Sequence, residues 1–419
     1  MTLLSYRYYH IYRILPGSGS GSSLRGQRLR QQTQRAVTPA VSIAGLDRGS
    51  GSRHITPPAP PPERGIPMEP NKTDTNTARL SFASDYMEGA HPAILQRLVE
   101  TNLTRSAGYG LDTFSEAARD RIREACMAPE ADVFFLVGGT QANAVMTGAL
   151  LRPYQGVIAA ETGHISVHEA GAIEAGGHKV LTVPQQNGKL TAAQVETLVR
   201  TWQEDENNEH MVMPGMVYIS QPTEYGSLYS LYEMQKLSKV CRSRSIPLYV
   251  DGARLAYALA CPSNDVSLQV LARLADVFYI GGTKCGALFG EAVVIPQHGF
   301  IPHLFTIIKQ NGALLAKGRI AGIQFETLFT DGLYQEIGKN AIEAADRIRE
   351  ALLRKGYELA FDSPTNQIFV LLSREQVLAL GQKAEMSFWE NTADGRSIMR
   401  IATSWATSPE DVDALIAIL

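Results

Sequence analysis

Lys284 is the only charged side chain in the glycine-rich segment GGTKCGALFG, which directly follows the apolar run DVFYI. An amine at the end of a buried strand can form a Schiff base with a carbonyl compound. The structural alternative is an ordinary surface-loop lysine. The residues at the other strand ends therefore decide how Lys284 is interpreted.

Two other apolar runs end in residues with chemical potential. VFFLV is followed by GGTQAN, in which Gly139 and Thr140 open a predicted helix and offer backbone N–H groups to a phosphate. GVIAAE is followed by TGHISVHEAG, which contains His164, His168 and Glu169. A Gly-Gly turn or a single histidine can also be purely structural.

A third run, IPLYV, ends in DGAR, which places Asp251 at the end of a buried strand. A buried carboxylate is costly without a cationic partner, and Arg254 can be that partner. Together, the strand ends supply an amine, a carboxylate, an imidazole and a phosphate cradle. These groups match the needs of pyridoxal phosphate: a Schiff base, a partner for the ring nitrogen, a flat group over the ring and a helix N-terminus.

The elements that must position these groups are short apolar runs alternating with amphipathic helices, which predicts an α/β fold. We expect a mostly parallel sheet of about seven strands with helices on both faces. The link TKCGALFGE is too short for a crossover, so the last two strands should be antiparallel. The predicted strand runs are VFFLVGG, GVIAAE, HKVLTV, GMVYIS, IPLYVDGAR, DVFYIGG and AVVIP.

The pattern of predicted helices and strands changes near residue 331. A long helical stretch, two strand candidates (QIFVLLS and SIMRIATSW) and a final helix beginning at Ser408 predict a small α+β domain. We therefore expect a large domain over 79–330 and a small C-terminal domain over 331–419.

The leader, residues 1–78, is predicted to be disordered. It is rich in arginine, glycine, serine and proline, and residues 1–67 carry a net charge of +7. It can be a transit peptide, a nucleic-acid-binding tail or translated upstream sequence with Met68 as the true start, and we favour the last interpretation.

The remainder, residues 68–419, carries a net charge of −10, which argues against a nucleic-acid partner for the main domain. No apolar run reaches 18 residues, so no membrane span is expected. Four dispersed cysteines predict free thiols in a reducing, cytoplasmic compartment, and no metal site is expected.

The motifs GGTQAN, GHISVHEAG, VDGARL and GGTKCG, in this order and spacing, resemble the threonine aldolase/β-eliminating lyase family of pyridoxal-phosphate enzymes. The resemblance covers roughly residues 80–419. It implies the aspartate-aminotransferase-like fold, and a homodimer or homotetramer whose active sites are completed by a second subunit.

The resemblance also implies roles for individual residues. Lys284 looks like the Schiff-base lysine, Asp251 like the partner of the pyridine nitrogen, and His164 like the imidazole stacked on the cofactor ring. Gly139 and Thr140 would bind the phosphate, helped by Arg319. The remaining expected residues would bind the substrate carboxylate: Ser84, Arg254 and Arg400.

One position departs from the family pattern. Threonine aldolases carry a histidine in a segment like E-N-T-H after the fourth strand, whereas this chain has Glu224 in SQPTEYGSLYSL. The group that takes the proton of the β-hydroxyl is therefore changed, and Glu224 or a water held by His164 is the expected base.

The implied reaction is aldol cleavage of a β-hydroxy-α-amino acid of the threonine, allo-threonine or phenylserine type to glycine and an aldehyde. The main alternative is β-elimination to a keto acid and ammonia with the same cofactor residues. A non-catalytic binding protein on the same fold is a further alternative, from a different class.

Overall fold

The computed structural model describes residues 79–419. The leader predicted over 1–78 lies outside the described residues. The strands are β1 (Leu80–Ser81), β2 (Asp132–Leu136), β3 (Gln155–Ala160), β4 (Val180–Val183), β5 (Met213–Ser220), β6 (Leu248–Asp251), β7 (Val277–Gly281), β8 (Glu291–Ile295), β9 (Glu358–Leu359), β10 (Gln367–Leu372), β11 (Ala384–Glu385), β12 (Ser387–Asn391) and β13 (Ser397–Ala402).

Helices occupy most of the sequence between the strands. They are α1 (Pro92–Thr101), α2 (Thr113–Cys126), α3 (Gly139–Leu150), α4 (His164–Val167), α5 (Ala172–Ala175), α6 (Ala192–Glu204), α7 (Leu231–Arg244), α8 (Leu255–Ala260), α9 (Leu268–Leu274), α10 (Leu304–Gln310), α11 (Arg319–Leu328), α12 (Leu333–Arg354), α13 (Arg374–Gly381) and α14 (Pro409–Ile418), with a short 3-10 helix at Asn208–His210.

The main sheet has seven strands in the order β2-β8-β7-β6-β5-β3-β4. All seven predicted runs form strands of this sheet. Neighbouring strands are parallel from β7 through β6, β5 and β3 to β4. β8 is antiparallel to β7, as the short link between them requires, and it is also antiparallel to β2. The predicted α/β fold class is confirmed.

Both faces of the main sheet are covered, because successive residues of one strand belong to different core clusters. On β6, Tyr249 packs into one cluster and Val250 into the other, and both are fully buried. On β7, Tyr279 and Ile280 divide in the same way. This alternation explains why the strands read as continuous apolar runs.

The C-terminal part contains a four-stranded antiparallel sheet in the order β12-β13-β10-β9. The last helix, α14, begins as expected: the Ser408 hydroxyl accepts a hydrogen bond from the Asp411 N–H, and Pro409 is in the first turn. The first described strand, β1, pairs with β11 of this part, although the proposed boundaries place residues 80 and 81 in the large domain.

All four cysteines are free and buried, as expected for thiols without disulfide partners. Between residues 79 and 419, the structure contains no helix that is both long enough and apolar enough to cross a membrane.

Candidate active site

The predicted site residues follow strands that are neighbours in the sheet. β7 is followed by Lys284, β6 ends at Asp251, β5 is followed by Glu224 and β3 by His164. Because parallel strands end at the same edge of a sheet, these four side chains converge there.

Two adjoining cavities occupy this edge. The strand-end cavity has a volume of about 320 Å³ and is lined by Gly139, Thr140 and Asp251 among others. The aromatic cavity has a volume of about 590 Å³ and includes Trp389 and Arg400 in its wall. Five residues line both cavities: Tyr86, His164, Glu224, Arg254 and Lys284.

Asp251 is buried and accepts several hydrogen bonds. Its Oδ2 accepts from the Tyr218 hydroxyl at 2.6 Å and from the Asn143 amide at 3.1 Å, and its Oδ1 accepts from the Tyr279 hydroxyl. Burial alone would raise the pKa of Asp251, but the His164 imidazole and the tyrosine hydroxyls bring it below its ordinary value. Asp251 is therefore an anion suited to a protonated ring nitrogen.

Lys284 faces both cavities. Burial and the neighbouring Arg254 guanidinium lower the pKa of the Lys284 ammonium group. A lowered pKa increases the fraction of neutral amine, which is the nucleophilic form needed for a Schiff base. The Lys284 Nζ lies 6.0 Å from the centre of the Tyr86 ring.

His164 is the first residue of α4, and its imidazole contacts a buried carboxylate. Its Nδ1 lies 2.7 Å from Oε1 of Glu169, whose side chain is fully buried. The same Glu169 oxygen accepts a hydrogen bond of 2.7 Å from Asn143, which also donates to Asp251. Asn143 therefore links the Glu169 carboxylate, which contacts His164, to the Asp251 carboxylate at the end of β6.

Glu224 anchors the start of α4 rather than standing free in the cavity. Its Oε1 accepts from the His164 backbone N–H at 2.9 Å and from the Ser220 hydroxyl at 2.7 Å. Burial raises the pKa of Glu224 above its ordinary value. The carboxyl group lines both cavities, where sequence reasoning expected it.

The N-terminus of α3 is where the sequence predicts a phosphate cradle. Gly138 is the N-cap and provides no side-chain hydrogen bond to the first turn, so the N–H groups are open to a ligand. A Cβ at Gly139 would lie 2.9 Å from the Tyr279 hydroxyl, which explains why a glycine is needed there. Thr140 is exposed beside it.

Arg254 pairs with Asp85 and not with Asp251. Arg254 Nε lies 2.6 Å from Asp85 Oδ2, and Nη2 lies 2.9 Å from Oδ1. Asn366 donates a third hydrogen bond to Asp85 at 2.9 Å. Burial opposes ionisation of Asp85, but Arg254 and Lys284 lower its pKa to about 2. The guanidinium still lines both cavities.

Arg400 lies in the wall of the aromatic cavity without a carboxylate partner among the described residues. It donates to Gln367 Oε1 at 3.1 Å and to the Ala83 carbonyl at 3.0 Å, and it lies 5.4 Å from the centre of the Trp389 ring. Burial and the Arg254 charge lower the pKa of Arg400. Such a guanidinium is a site for an anion.

Two predicted site residues are placed less directly. Ser84 has a buried hydroxyl with no hydrogen-bond partner in the described chain, next to Asp85. Arg319 lies outside both cavities: its guanidinium donates to the carbonyls of Thr101 and Thr104. Within one subunit, the structure therefore does not bring Arg319 to the phosphate cradle.

Sequence reasoning missed several residues that shape the site. Asp85 and Asn143 carry no local signal, since Arg254 is 169 residues from Asp85 and Asp251 is 108 residues from Asn143. Glu291 on β8 was also missed; it is buried in the strand-end cavity, and burial raises its pKa to about 8. Trp389 was missed as well; it lies at an irregularity in the pairing of β12 with β13 and lines the aromatic cavity.

The residues present fit pyridoxal phosphate. Open N–H groups on α3, the Asp251 carboxylate and the Lys284 amine line one cavity. Within residues 79–419, three buried polar atoms in the wall of the aromatic cavity lack a partner, which is unusual unless a polar ligand binds. These atoms are Thr162 Oγ1, Gln367 Nε2 and Arg400 Nε.

The fold and the site fit an enzyme of the pyridoxal-phosphate type, and comparison with known proteins gives its class. The family model of the β-eliminating lyases matches residues 81–393. The chain belongs to the β-eliminating lyase family. The predicted family and the predicted enzyme class, a lyase, are confirmed, and the family and fold together imply pyridoxal phosphate.

Individual relatives carry a more specific name. The low-specificity L-threonine aldolase of a Pseudomonas species is 30% identical over 342 residues, covering 80% of this chain and 96% of that protein. The enzyme of the same name from Pseudomonas aeruginosa is 29% identical, covering 80% of this chain and 95% of that protein.

Solved structures support the same assignment. The structure of Leishmania major threonine aldolase is 43% identical, with a TM-score of 0.78, and the match covers 81% of this chain and 98% of that chain. Thermus thermophilus aspartate aminotransferase is 14% identical with a TM-score of 0.62 over 82% of this chain and 91% of that chain, which shows the fold alone. The aspartate-aminotransferase-like fold is confirmed.

Proposed function

We propose that the protein cleaves a β-hydroxy-α-amino acid, with threonine as the reference substrate, to glycine and an aldehyde. One observation carries the proposal: Lys284 lines both the strand-end cavity, which includes Gly139, Thr140 and Asp251, and the aromatic cavity, where Arg400 has no carboxylate partner within residues 79–419. The lysine that would bind the cofactor and the arginine that would bind the substrate carboxylate therefore line the same cavity. The named aldolase relatives support the same reaction.

Pyridoxal phosphate, when bound, supplies a carbonyl for the lysine amine and an electron sink for the substrate Cα. Lys284 would hold it covalently, and Asp251 would keep its ring nitrogen protonated. His164 would stack on the ring, while Gly139 and Thr140 would bind the phosphate. Metal chemistry forms no part of this proposal.

The substrate carboxylate would bind Arg400 and Arg254, with Ser84 beside them. Asp85 holds the Arg254 fork in place, so the free edge of that guanidinium is presented in a defined orientation. The aromatic cavity has a volume of about 590 Å³, and Tyr225, Phe388 and Trp389 provide an apolar lining. This space supports substrates as large as a phenylserine.

Glu224 lines both cavities and contacts the first residue of α4. Its raised pKa and its two accepted hydrogen bonds favour a carboxyl that holds His164 and α4 in position. It can still act on the β-hydroxyl through its second oxygen, as the sequence suggested.

A second candidate reaction is β-elimination, because the family is described by that activity and the same cofactor residues would serve it. A binding protein without catalysis is the remaining candidate. In such a protein the Lys284 amine would have no reaction to perform. The lowered pKa of Lys284 favours the neutral amine, which is the reactive form.

The assembly and location are also proposals. The family resemblance supports a homodimer or homotetramer with shared active sites, and the four free thiols support a cytoplasmic location. The small domain over 331–419 is supported by its separate antiparallel sheet.

Product analysis tests the proposed function. The purified protein is supplied with pyridoxal phosphate and incubated with L-threonine, L-allo-threonine, L-phenylserine and L-serine. We expect glycine and the matching aldehyde in equal amounts. A keto acid with ammonia would establish β-elimination instead, and no product together with no cofactor absorbance band would leave the binding protein.

A further inference from the structure

His168 stands on the same wall of the aromatic cavity as His164, four residues later. It caps the C-terminal end of α4, where its backbone N–H donates to the His164 carbonyl at 2.9 Å. Side chains four residues apart lie on one face of a helical turn. Both imidazoles accordingly line the aromatic cavity with Lys284 and Arg400.

The His168 ring is placed by two aromatic neighbours. Its centre lies 5.7 Å from the His164 ring centre and 6.0 Å from that of Trp389. Within residues 79–419, neither ring nitrogen of His168 forms a hydrogen bond. By contrast, His164 Nδ1 is held by Glu169, and one Glu224 oxygen already accepts two hydrogen bonds.

The charges around His168 favour its neutral form. Burial, together with the positive fields of His164, Arg400 and Lys284, lowers its pKa. The carboxyl groups of Glu224 and Glu390 also line this cavity and act in the opposite direction. A neutral imidazole with a free nitrogen can accept a proton near neutral pH.

We propose that His168 is a catalytic residue that accepts the proton of the substrate's β-hydroxyl. The inference rests on the proposed aldol cleavage. An amino acid with its amine at Lys284 and its carboxylate at Arg400 would occupy the aromatic cavity, and the His168 imidazole is in the wall of that cavity. The sequence shows no equivalent free imidazole after β5, where Glu224 stands.

The step balances without a further reactant. The hydroxyl proton moves to a His168 nitrogen, the C–O bond becomes the aldehyde carbonyl, and the Cα–Cβ bond breaks with its electron pair left on Cα. A proton delivered to Cα then completes glycine, so the overall reaction neither gains nor loses protons.

The test compares His168→Phe, which keeps a flat ring, and His168→Asn with the wild-type holoenzyme. We expect threonine cleavage to slow by roughly 10²-fold or more, the usual contribution of a general base. Exchange of the glycine α-proton with solvent deuterium needs no hydroxyl, so we expect that rate to be unchanged. The matched control is His210→Asn, since His210 is exposed on the short 3-10 helix.

A binding measurement gives a readout independent of turnover. In the wild type, calorimetry should show different affinities for L-serine and L-alanine, which differ only by the β-hydroxyl. The His168 variants should lose most of this difference while keeping the affinity for L-alanine. The acidic limb of the cleavage pH profile should also shift in the variants and not in His210→Asn.

Three results would overturn the proposal. One is wild-type cleavage by His168→Phe together with slow cleavage by Glu224→Gln, which would make Glu224 the base. Another is equal loss of cleavage and glycine exchange, which would indicate general damage. The third is an unchanged serine-to-alanine affinity ratio. If the wild type itself releases no aldehyde, the proposed function fails, and that same ratio still tests whether His168 contacts the hydroxyl.

Discussion

Arg254 and Asp85, 169 residues apart in the chain, form a buried two-point ion pair with distances of 2.6 and 2.9 Å. The pair joins the loop after β6 to the segment after β1, and Asn366 ties it to the C-terminal part. It therefore fixes an arginine that lines both cavities and, at the same time, connects distant parts of the fold.

We expect Asp85→Asn to lower the free energy of unfolding by about 3–5 kcal/mol, because Arg254 is left buried without a counter-charge. The pKa of Asp85 is lowered from 3.8 to about 2 in the folded protein, so its stabilising effect is present above pH 3.8 and is lost as the pH falls towards 2. Urea unfolding at several pH values measures both effects.

The exposed Asp120 gives the matched control, since its 2.8 Å pair with Arg123 lies at the surface. Asp120→Asn should change the stability little. If both variants lose the same stability, the special role of the buried pair is wrong.

Lys284→Ala should abolish the Schiff-base absorbance band near visible wavelengths, because no other lysine lines either cavity within residues 79–419. Pyridoxal phosphate should still bind through α3 and Asp251, but dialysis should remove it. Absorbance before and after dialysis is the measurement. Lys339→Ala, at an exposed helix position, should retain the band, and a band that persists in Lys284→Ala would exclude this lysine.

Arg400→Met should stabilise the protein and weaken substrate binding together. Arg400 is half-buried and has no carboxylate partner within residues 79–419, so an apolar side chain in its place removes a desolvation cost and we expect the stability to rise. Losing a charge-assisted contact to the substrate carboxylate, worth about 1.5–3 kcal/mol, should raise KM by roughly 10- to 100-fold.

Thermal unfolding and steady-state kinetics measure the two effects of Arg400→Met. Arg396→Met is the control, because Arg396 precedes the same strand and pairs with Glu358 and Asp394 away from the cavity. An unchanged KM in Arg400→Met would mean that the carboxylate binds elsewhere.

Glu291→Gln should flatten the dependence of stability on pH. Burial raises the pKa of Glu291 from 4.5 to about 8, so between these values the folded protein holds a proton that the unfolded chain releases. The wild type therefore loses stability relative to the variant as the pH rises, by about 1.4 kcal/mol per pH unit for one proton.

Denaturant titrations of Glu291→Gln between pH 5 and about 8 test this coupling. Glu343→Gln, at an exposed position of α12, should follow the wild type. Parallel curves for wild type and Glu291→Gln would show that Glu291 ionises normally in the folded protein.

The sequence by itself determined the seven strands of the main sheet, their mainly parallel arrangement and the residues at their ends. These features depend on short stretches of sequence. A continuous apolar run indicates a strand that is buried on both faces of the sheet, and the length of a link shows whether a crossover helix can fit between two strands. Lys284, Asp251, His164 and Gly139 could therefore be located before any contact was known.

Only the tertiary structure decided which groups touch. Asp85 as the partner of Arg254, Asn143 as the link between Glu169 and Asp251, and the distance of Arg319 from both cavities depend on residues far apart in the chain. The same holds for His168 at the end of α4, because its neighbour Trp389 lies on β12 of the four-stranded sheet. The periodicity of apolar residues predicts which face of a helix or strand a side chain lies on. Which residues contact that side chain depends on how the helices and strands pack together.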